Sequence, residues 1–262
     1  MGNDAALRPV IVHADDFGRD AETTHAITSW IDAGIVSSVS VLSNLAGTTD
    51  ALVVAKRLDR QISIGVHLNI CEGAPLTSGR SLVTERGLFP SKRTIVRRAL
   101  LGQLNLQDLE HELTMQVRRI ADAGVTISHV DSHKHLHLLP GIATVVARLA
   151  RRFGFARIRC PISSPLLPSM SAATVRGVVA RTCAARLAER EFRQAGLRHP
   201  RRLIDLAHLY AAGATLDRRL EYLDGATTEL MCHATDVASI AVSSVRELVH
   251  APNVVRHSYW NC

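Results

Sequence analysis

The chain alternates short apolar runs with longer stretches in which apolar residues recur every three or four positions. Pro9-Val10-Ile11-Val12-His13-Ala14 is an apolar run that stops at Asp15-Asp16-Phe17-Gly18. That is the pattern of a buried strand with an acidic end and a turn at the glycine. A helix over roughly 21–33 follows, with Ala26, Ile27, Trp30 and Ile31 on one stripe and Gly34 as its stop. Ile35 to Leu42 reads as a second strand, residues 48–58 as a second helix, and Ile62 to Leu68 as an alternating third strand with His67 near its end. Residues 70–104, punctuated by Gly73, Pro75, Gly79, Gly87 and Pro90, read as a long excursion without regular elements, hence a lid or substrate-binding insertion. Asn105 caps a helix to about 123, with Leu106, Leu109, Leu113, Val117 and Ile120 on one face, and Gly124 ends it.

A fourth strand over 125–131 leads into His129-Val130-Asp131-Ser132-His133-Lys134-His135-Leu136-His137, which holds four of the chain's 13 histidines. If the segment stays extended, His129, Asp131, His133, His135 and His137 share one face. Pro140 then opens a helix with Ile142, Val145, Val146, Leu149 and Phe153 inward, and Gly154 closes it. Phe155 to Arg159 reads as a strand, 162–170 as a loop, 171–195 as a long helix, and Leu203 to Leu209 and Glu229 to His233 as further strands. Ser244 and Glu247 have capping-box spacing for a last helix.

Strand and helix alternate throughout, which predicts a parallel sheet covered by helices, an α/β sheet or barrel. The 262 residues suit one such barrel. The expected organisation is a single catalytic domain over 1–262, with the insertion at 70–104 and a variable region at 160–227. Aromatic residues are only 4%, so an aliphatic core is expected.

The net charge of +7 comes from arginine pairs such as Arg97-Arg98, Arg118-Arg119, Arg151-Arg152, Arg201-Arg202 and Arg218-Arg219. They are spread along presumed helices with no clustered patch or stacking aromatics, so a solvated basic surface is expected and nucleic-acid binding is not. Cys71, Cys160, Cys183, Cys232 and Cys262 form no CxxC pair, which fits a reducing compartment. Met1-Gly2-Asn3-Asp4 carries no export signal and no apolar stretch is long enough to span a membrane, so a cytoplasmic protein is expected.

Asp15 and Asp16, then His67, then His133 to His137, then His233 each end an apolar strand in the same sense. In a barrel they would meet at one mouth. The combination suits one divalent ion held by a carboxylate and two imidazoles, with positions open for water and substrate. A second carboxylate beside the first is a natural general base, and a histidine across the site could protonate a leaving group. This is equipment for hydrolysing an amide or ester. Cys232, beside His233, reads as a buried strand cysteine rather than a nucleophile. Arg159, at a strand end, reads first as a simple salt bridge, with touching substrate or orienting a carboxylate as the alternative. Asp131 is a candidate to hydrogen-bond a metal-bound imidazole.

These residues also resemble a known family. Val12 to Gly18 resembles the Ala-Asp-Asp-Phe-Gly signature of the YdjC/ChbG (HpnK-like) carbohydrate deacetylases. The resemblance continues at residues 34–38, at 64–69 with 73–76, at 129–137 and at Thr228 to His233. The chain departs from the pattern at His13, where an Asn is usual, at His233-Ala234-Thr235, where His-Pro-Gly is common, and over 77–104 and 160–227. The resemblance implies a (β/α)-barrel variant similar to NodB-type deacetylases. It implies Asp16, His67 and His133 as metal ligands, with His137 as the alternative third ligand. It further implies Asp15 as general base, His233 as general acid, and His135 and His137 as metal-supporting or substrate contacts. The implied cofactor is one divalent ion, magnesium or zinc. The implied partner is a small N-acetylated sugar or glycolipid substrate, with a homodimer as candidate assembly. A barrel phosphoesterase and a non-catalytic metal- or sugar-binding module are the competing readings.

Overall fold

The ten-residue strand β1 (Arg8–Phe17) is the hub of the sheet. The computed structural model describes residues 7–168, 170–212, 215–223 and 225–262, with backbone only for 237–239. The other strands are β2 (Ser38–Val41), β3 (Ser63–Leu68), β4 (His129–Ser132), β5 (Arg202–Asp205), β6 (Thr228–Cys232) and β7 (Val254–Arg256). They run in the order β4-β3-β2-β1-β6-β5, with β7 beside the start of β1, and every pairing is parallel. Single bridges Val130↔Ile158, Arg157↔Arg198 and Ser163↔Arg202 carry the pairing from β4 back to β5, so the ring closes. This is the expected α/β barrel variant.

Ten helices cover the described sheet: α1 (Ala21–Asp32), α2 (Thr48–Arg57), α3 (Lys92–Leu100), α4 (Leu106–Ala121), α5 (Ile142–Phe153), α6 (Ala172–Gln194), α7 (Leu206–Ala212), α8 (Leu216–Glu221), α9 (Ala234–Ser239) and α10 (Val242–Val249). Their starts are chemically marked. Asp20 accepts a hydrogen bond from the Thr23 amide, and Asn105 accepts from the amides of Gln107 and Asp108, satisfying donors that a helix start leaves free.

The strands read with period two, but in an unusual sense. Val12 and Ala14, Val39 and Val41, Ile64, Val66 and Leu68, Val130, and Leu230 and Cys232 all belong to the aliphatic core between sheet and helices. The alternate positions His13, Asp15, Ser38, Ser40, Ser63, His67, His129, Asp131 and Glu229 are buried too, and they face the barrel interior. Barrel interiors are ordinarily filled by branched aliphatic residues. Here the inner face is a network of imidazoles, hydroxyls and carboxylates. The C-terminal segment closes it from the other end. Tyr259 is fully buried, stacks on His129 at 3.7 Å between ring centroids, and donates to Glu229 Oε2 at 2.6 Å.

Several expectations need correction. Residues 70–104 are not without regular structure: α3 forms because Ser91 accepts from the Thr94 amide and Ile95 and Ala99 bury one face. The segment after Asp131 does not stay extended. Residues 133–138 form a tight turn with Lys134 at φ 57 and His135 at φ 58, so the three later histidines diverge instead of sharing a face. The expected strand at 155–159 amounts to isolated bridges, and the one at 203–209 gives way after Asp205 to α7. Ser244 lies inside α10, which starts after Ala241, and the capping-box carboxylate is instead Asp236, which accepts from the His233 amide at the start of α9. Met1 to Asp4, on which the reading of the N-terminus rested, lie outside the described residues. All five cysteines are free. Among the described residues no helix is long and apolar enough to cross a membrane.

The loop after β3 is held down by two buried polar residues of α4. Glu112 accepts from the amides of Leu76 and Thr77 at 3.0 and 2.9 Å, and Gln116 brackets the backbone of Asn69. Glu112→Ala strands those two amides and removes one of the two acceptors of Gln116 Nε2. It should cost about 2–3 kcal/mol of stability, read as a lowered denaturation midpoint with unchanged m-value.

Candidate active site

Asp15 and Asp16 are neighbours in sequence, so in a regular strand their side chains would point to opposite faces. The register between β1 and β2 shifts between Ala14 and Phe17, and Asp16 takes φ 64. This bulge turns both carboxylates toward the same mouth. A left-handed conformation at a non-glycine residue costs of order 1 kcal/mol or more and recurs where side chains are aimed at a site.

Asp16, His67 and His133 come together there, each buried, with one donor atom apiece within 4.8 Å of one another. Asp16 Oδ1 lies 2.8 Å from His133 Nδ1 and 3.3 Å from His67 Nε2. The far nitrogen of each imidazole is engaged. His67 Nδ1 is 2.8 Å from Asp131 Oδ1 and 2.8 Å from Ser40 Oγ; His133 Nε2 is 3.0 Å from Glu72 Oε2. Carboxylates behind imidazoles in this way fix the ring and raise its basicity as a ligand.

The set fits a divalent ion. His67 Nε2 is sealed from solvent and makes no hydrogen bond, facing Asp16 Oδ1 at 3.3 Å, so its proton is one that a bound ion would displace. One carboxylate and two imidazoles are a donor set for zinc and related divalent metals. Burial opposes the charge of His67, but Asp131, Asp15 and Asp16 outweigh it and lift its pKa to about 10. Burial likewise opposes the charge of Asp16, yet the two imidazoles hold its carboxyl far below the usual range.

Beneath this trio lies Arg159, fully buried. Its NH1 and NH2 grip Asp15 Oδ2 and Oδ1 at 2.9 and 2.6 Å, NH1 reaches Asp131 Oδ2 at 2.9 Å, and Nε reaches Glu229 Oε1 at 2.8 Å. One guanidinium therefore orients three carboxylates. His13 sits among them, 3.2 Å from Asp15 Oδ1 and hydrogen-bonded to Ser38 and Ser40. Burial works against ionising Asp15, but Arg159 and then His13 hold its carboxyl well below the ordinary range. His13, His129 and Asp131 also converge, but there Arg159 supplies a positive charge 2.9 Å from Asp131 Oδ2, and the His129 ring packs against Gly65.

The sequence pattern of the family described as YdjC-like protein matches residues 9–253. The chain belongs to the YdjC-like protein family. It is 30% identical over 234 residues to a carbohydrate deacetylase of Geobacillus stearothermophilus, an alignment covering 86% of this chain and 79% of that one. It is 34% identical over 161 residues to a carbohydrate deacetylase of Danio rerio, covering 60% and 51%. The chain thus spans about half the length of that relative. A solved structure described as a candidate cellobiose-phosphate cleavage protein of Enterococcus faecalis shares the fold, with a TM-score of 0.74, 20% identity and 97% and 98% coverage.

In this YdjC-like chain the remaining sequence-predicted residues take separate places. His233, at the end of β6, has a side chain 35% exposed with Nδ1 3.8 Å from Asp236 Oδ2. Burial disfavours its charge, but Asp236, Asp15 and Asp16 lift its pKa to about 9. His137 turns away from Asp16: Nδ1 contacts Ser132 Oγ at 2.6 Å and Nε2 the carbonyl of Arg159 at 2.7 Å, which leaves no nitrogen for a metal. Burial pushes its pKa down to about 4. His135 lines a cavity beside the trio. Glu72, Glu229, Tyr259 and His13 were not picked out as site residues. For His13 and Glu229 the signal was available, since both fall on the polar phase of strand alternation. Glu72 and Tyr259 lie in loops, where no periodicity marks them.

Proposed function

We propose that this YdjC-like chain is a metal-dependent carbohydrate deacetylase that removes the acetyl group from an N-acetylated amino sugar. The observation that carries the reading is the buried trio Asp16, His67 and His133, with a His67 Nε2 that makes no hydrogen bond, beside an Asp15 clamped by Arg159. The names of the relatives add the carbohydrate and the acetyl group.

A divalent ion, zinc or magnesium, held by Asp16, His67 and His133 would supply Lewis acidity toward the acyl carbonyl and the attacking water. Asp131 and Glu72 hold the two imidazoles in orientation. Asp15 is kept ionised by Arg159 and receives a water proton as the water oxygen bonds to the acyl carbon. Breaking the C–N bond leaves an amine that needs a proton, and His233 holds one at neutral pH. Acetate and a free amino sugar result.

Acetate release from N-acetylglucosamine oligomers, abolished by a chelator and restored by added metal, tests the reading. Phosphate release from a phosphoester panel with no acetate release would replace it with the phosphoesterase. The state of His233 sets the alkaline limit. Below pH about 9 its imidazole is protonated and can act as acid, and above it the proton is lost. In kcat/KM against pH, the high-pH arm should fall near 9, and His233→Ala should remove that arm while lowering kcat about 10²-fold or more.

A further inference from the structure

α3 (Lys92–Leu100) is capped by Ser91 and buries Ile95 and Ala99 against the rest of the chain. Its other side presents two rows at four-residue spacing, Lys92, Val96 and Leu100 in one and Arg93, Arg97 and Leu101 in the other. Leu100 and Leu101 are 64% and 57% exposed, and Lys92, Arg93 and Arg97 are exposed with them. The helix carries four cations and no carboxylate. Arg98 is engaged elsewhere, donating to the Ser81 carbonyl at 3.1 Å. Arg93 and Arg97 form no salt bridge among the described residues. The face lies close to the candidate active site, because Lys92 and Val96 also line the cavity that reaches Lys134 and His135, in the turn that carries His133.

We propose that this face of α3 docks on an anionic membrane surface, with Leu100 and Leu101 entering the headgroup layer and Arg93 and Arg97 lying against lipid phosphates. Exposed leucines scattered singly need no explanation. Here two adjacent ones stand beside unpaired cations, with no neutral polar side chain in either row. Helices that lie in a membrane interface have that composition, Lys and Arg around Leu. Other occupants fit the face less well. A protein partner is gripped by aromatic side chains and neutral hydrogen-bonding groups, and the two rows supply neither. A second copy related by a two-fold axis would bring the same cations against these ones. A lipid surface supplies the opposite charge and yields to side chains of any outline. With nine residues and two leucines the helix gives a reversible contact rather than an anchor. Docking sets the mouth of the barrel beside the headgroup layer, since the turn with His133 adjoins the same helix. The inference goes beyond the deacetylase reading and does not depend on it. It also gives a role to Arg97, whose pairing with Arg98 otherwise reads as plain solvated charge.

The test is co-sedimentation of the full chain with vesicles of phosphatidylcholine, either pure or mixed about two to one with phosphatidylglycerol. Partitioning onto the anionic vesicles should be about tenfold or more stronger than onto the neutral ones, and should fall as salt is raised. Arg93→Gln combined with Arg97→Gln should bring that preference close to unity. Leu100→Ser combined with Leu101→Ser should weaken binding to the anionic vesicles about fivefold. All four positions are exposed, so circular dichroism and metal content should match the parent. Equal partitioning onto the two vesicles, or none onto either, would overturn the proposal. So would a preference that survives the arginine variant, or binding indifferent to the leucine variant, because general charge attraction would then account for it. Capture of polyglutamate without vesicle binding would give the face to an acidic protein, and a dimer in sedimentation velocity that the leucine variant dissociates would give it to a second copy; either result also overturns the proposal. Binding is read without turnover, so the two readings fail separately. Vesicle binding without acetate release removes the deacetylase and leaves the docking face; acetate release without vesicle binding removes the docking face alone.

Discussion

Asp16→Ala should abolish both metal retention and acetate release. Asp16 Oδ1 is the atom that faces both His133 Nδ1 and His67 Nε2, so its loss removes the only carboxylate of the trio and the charge that draws the ion in. Ligation by a second imidazole pair is not available as a substitute, since His137 spends both nitrogens on Ser132 and the Arg159 carbonyl. Metal affinity should fall by more than about a hundredfold, beyond the loss typical of a residue that merely supports a ligand. The fold should survive, because Asp16 stands at the rim of the barrel on a bulge and meets the Arg159 network only through His67. The left-handed backbone suits Ala no better than Asp, so a modest loss of stability accompanies the substitution. Equilibrium dialysis followed by elemental analysis measures the affinity, and circular dichroism checks the fold.

Asp15→Asn should give the complementary result: metal retained, turnover lost. The amide keeps the shape of the carboxylate and can still accept from one nitrogen of Arg159, but it cannot take a proton from water at neutral pH. Loss of a positioned general base lowers kcat by about 10²–10⁴. Arg159 keeps Asp131 and Glu229 as partners, so the buried charge is not left alone. KM and metal content should stay near the parent values, which separates this variant from Asp16→Ala. An Asp15→Asn protein with full turnover would remove Asp15 from the role of base and return that role to another residue of the mouth.

Much of this was legible before any coordinates. The strand ends carrying Asp15, Asp16, His67, His133 and His233 are marked by apolar runs that stop on polar residues, and parallel alternation of strand and helix brings such ends to one rim. The alternation within β1, β2, β3 and β4 also encodes the polar interior, since His13, Ser38, Ser40, His67, His129 and Asp131 all lie on one phase. What the sequence hid depends on backbone geometry and on contacts between distant loops. The bulge at Asp16 is invisible to periodicity, yet it decides that adjacent aspartates serve one site. The left-handed pair Lys134 and His135 curls a segment that reads as extended, and so separates His133 from His137. Glu72 approaches His133 from a loop that Glu112 and Gln116 of α4 pin across more than thirty residues, with Arg19 holding its other oxygen. Tyr259 reaches the barrel interior through a C-terminal segment that follows the last helix, where no pattern marks it.

The place where an ion binds decides the chemistry of the mouth. Crystals of the full chain grown with zinc and measured at the zinc absorption edge would locate it directly. The predicted result is one strong anomalous peak bounded by Asp16 Oδ1, His67 Nε2 and His133 Nδ1, lost in Asp16→Ala. A peak held by other residues, or the same peak persisting in Asp16→Ala, would contradict it.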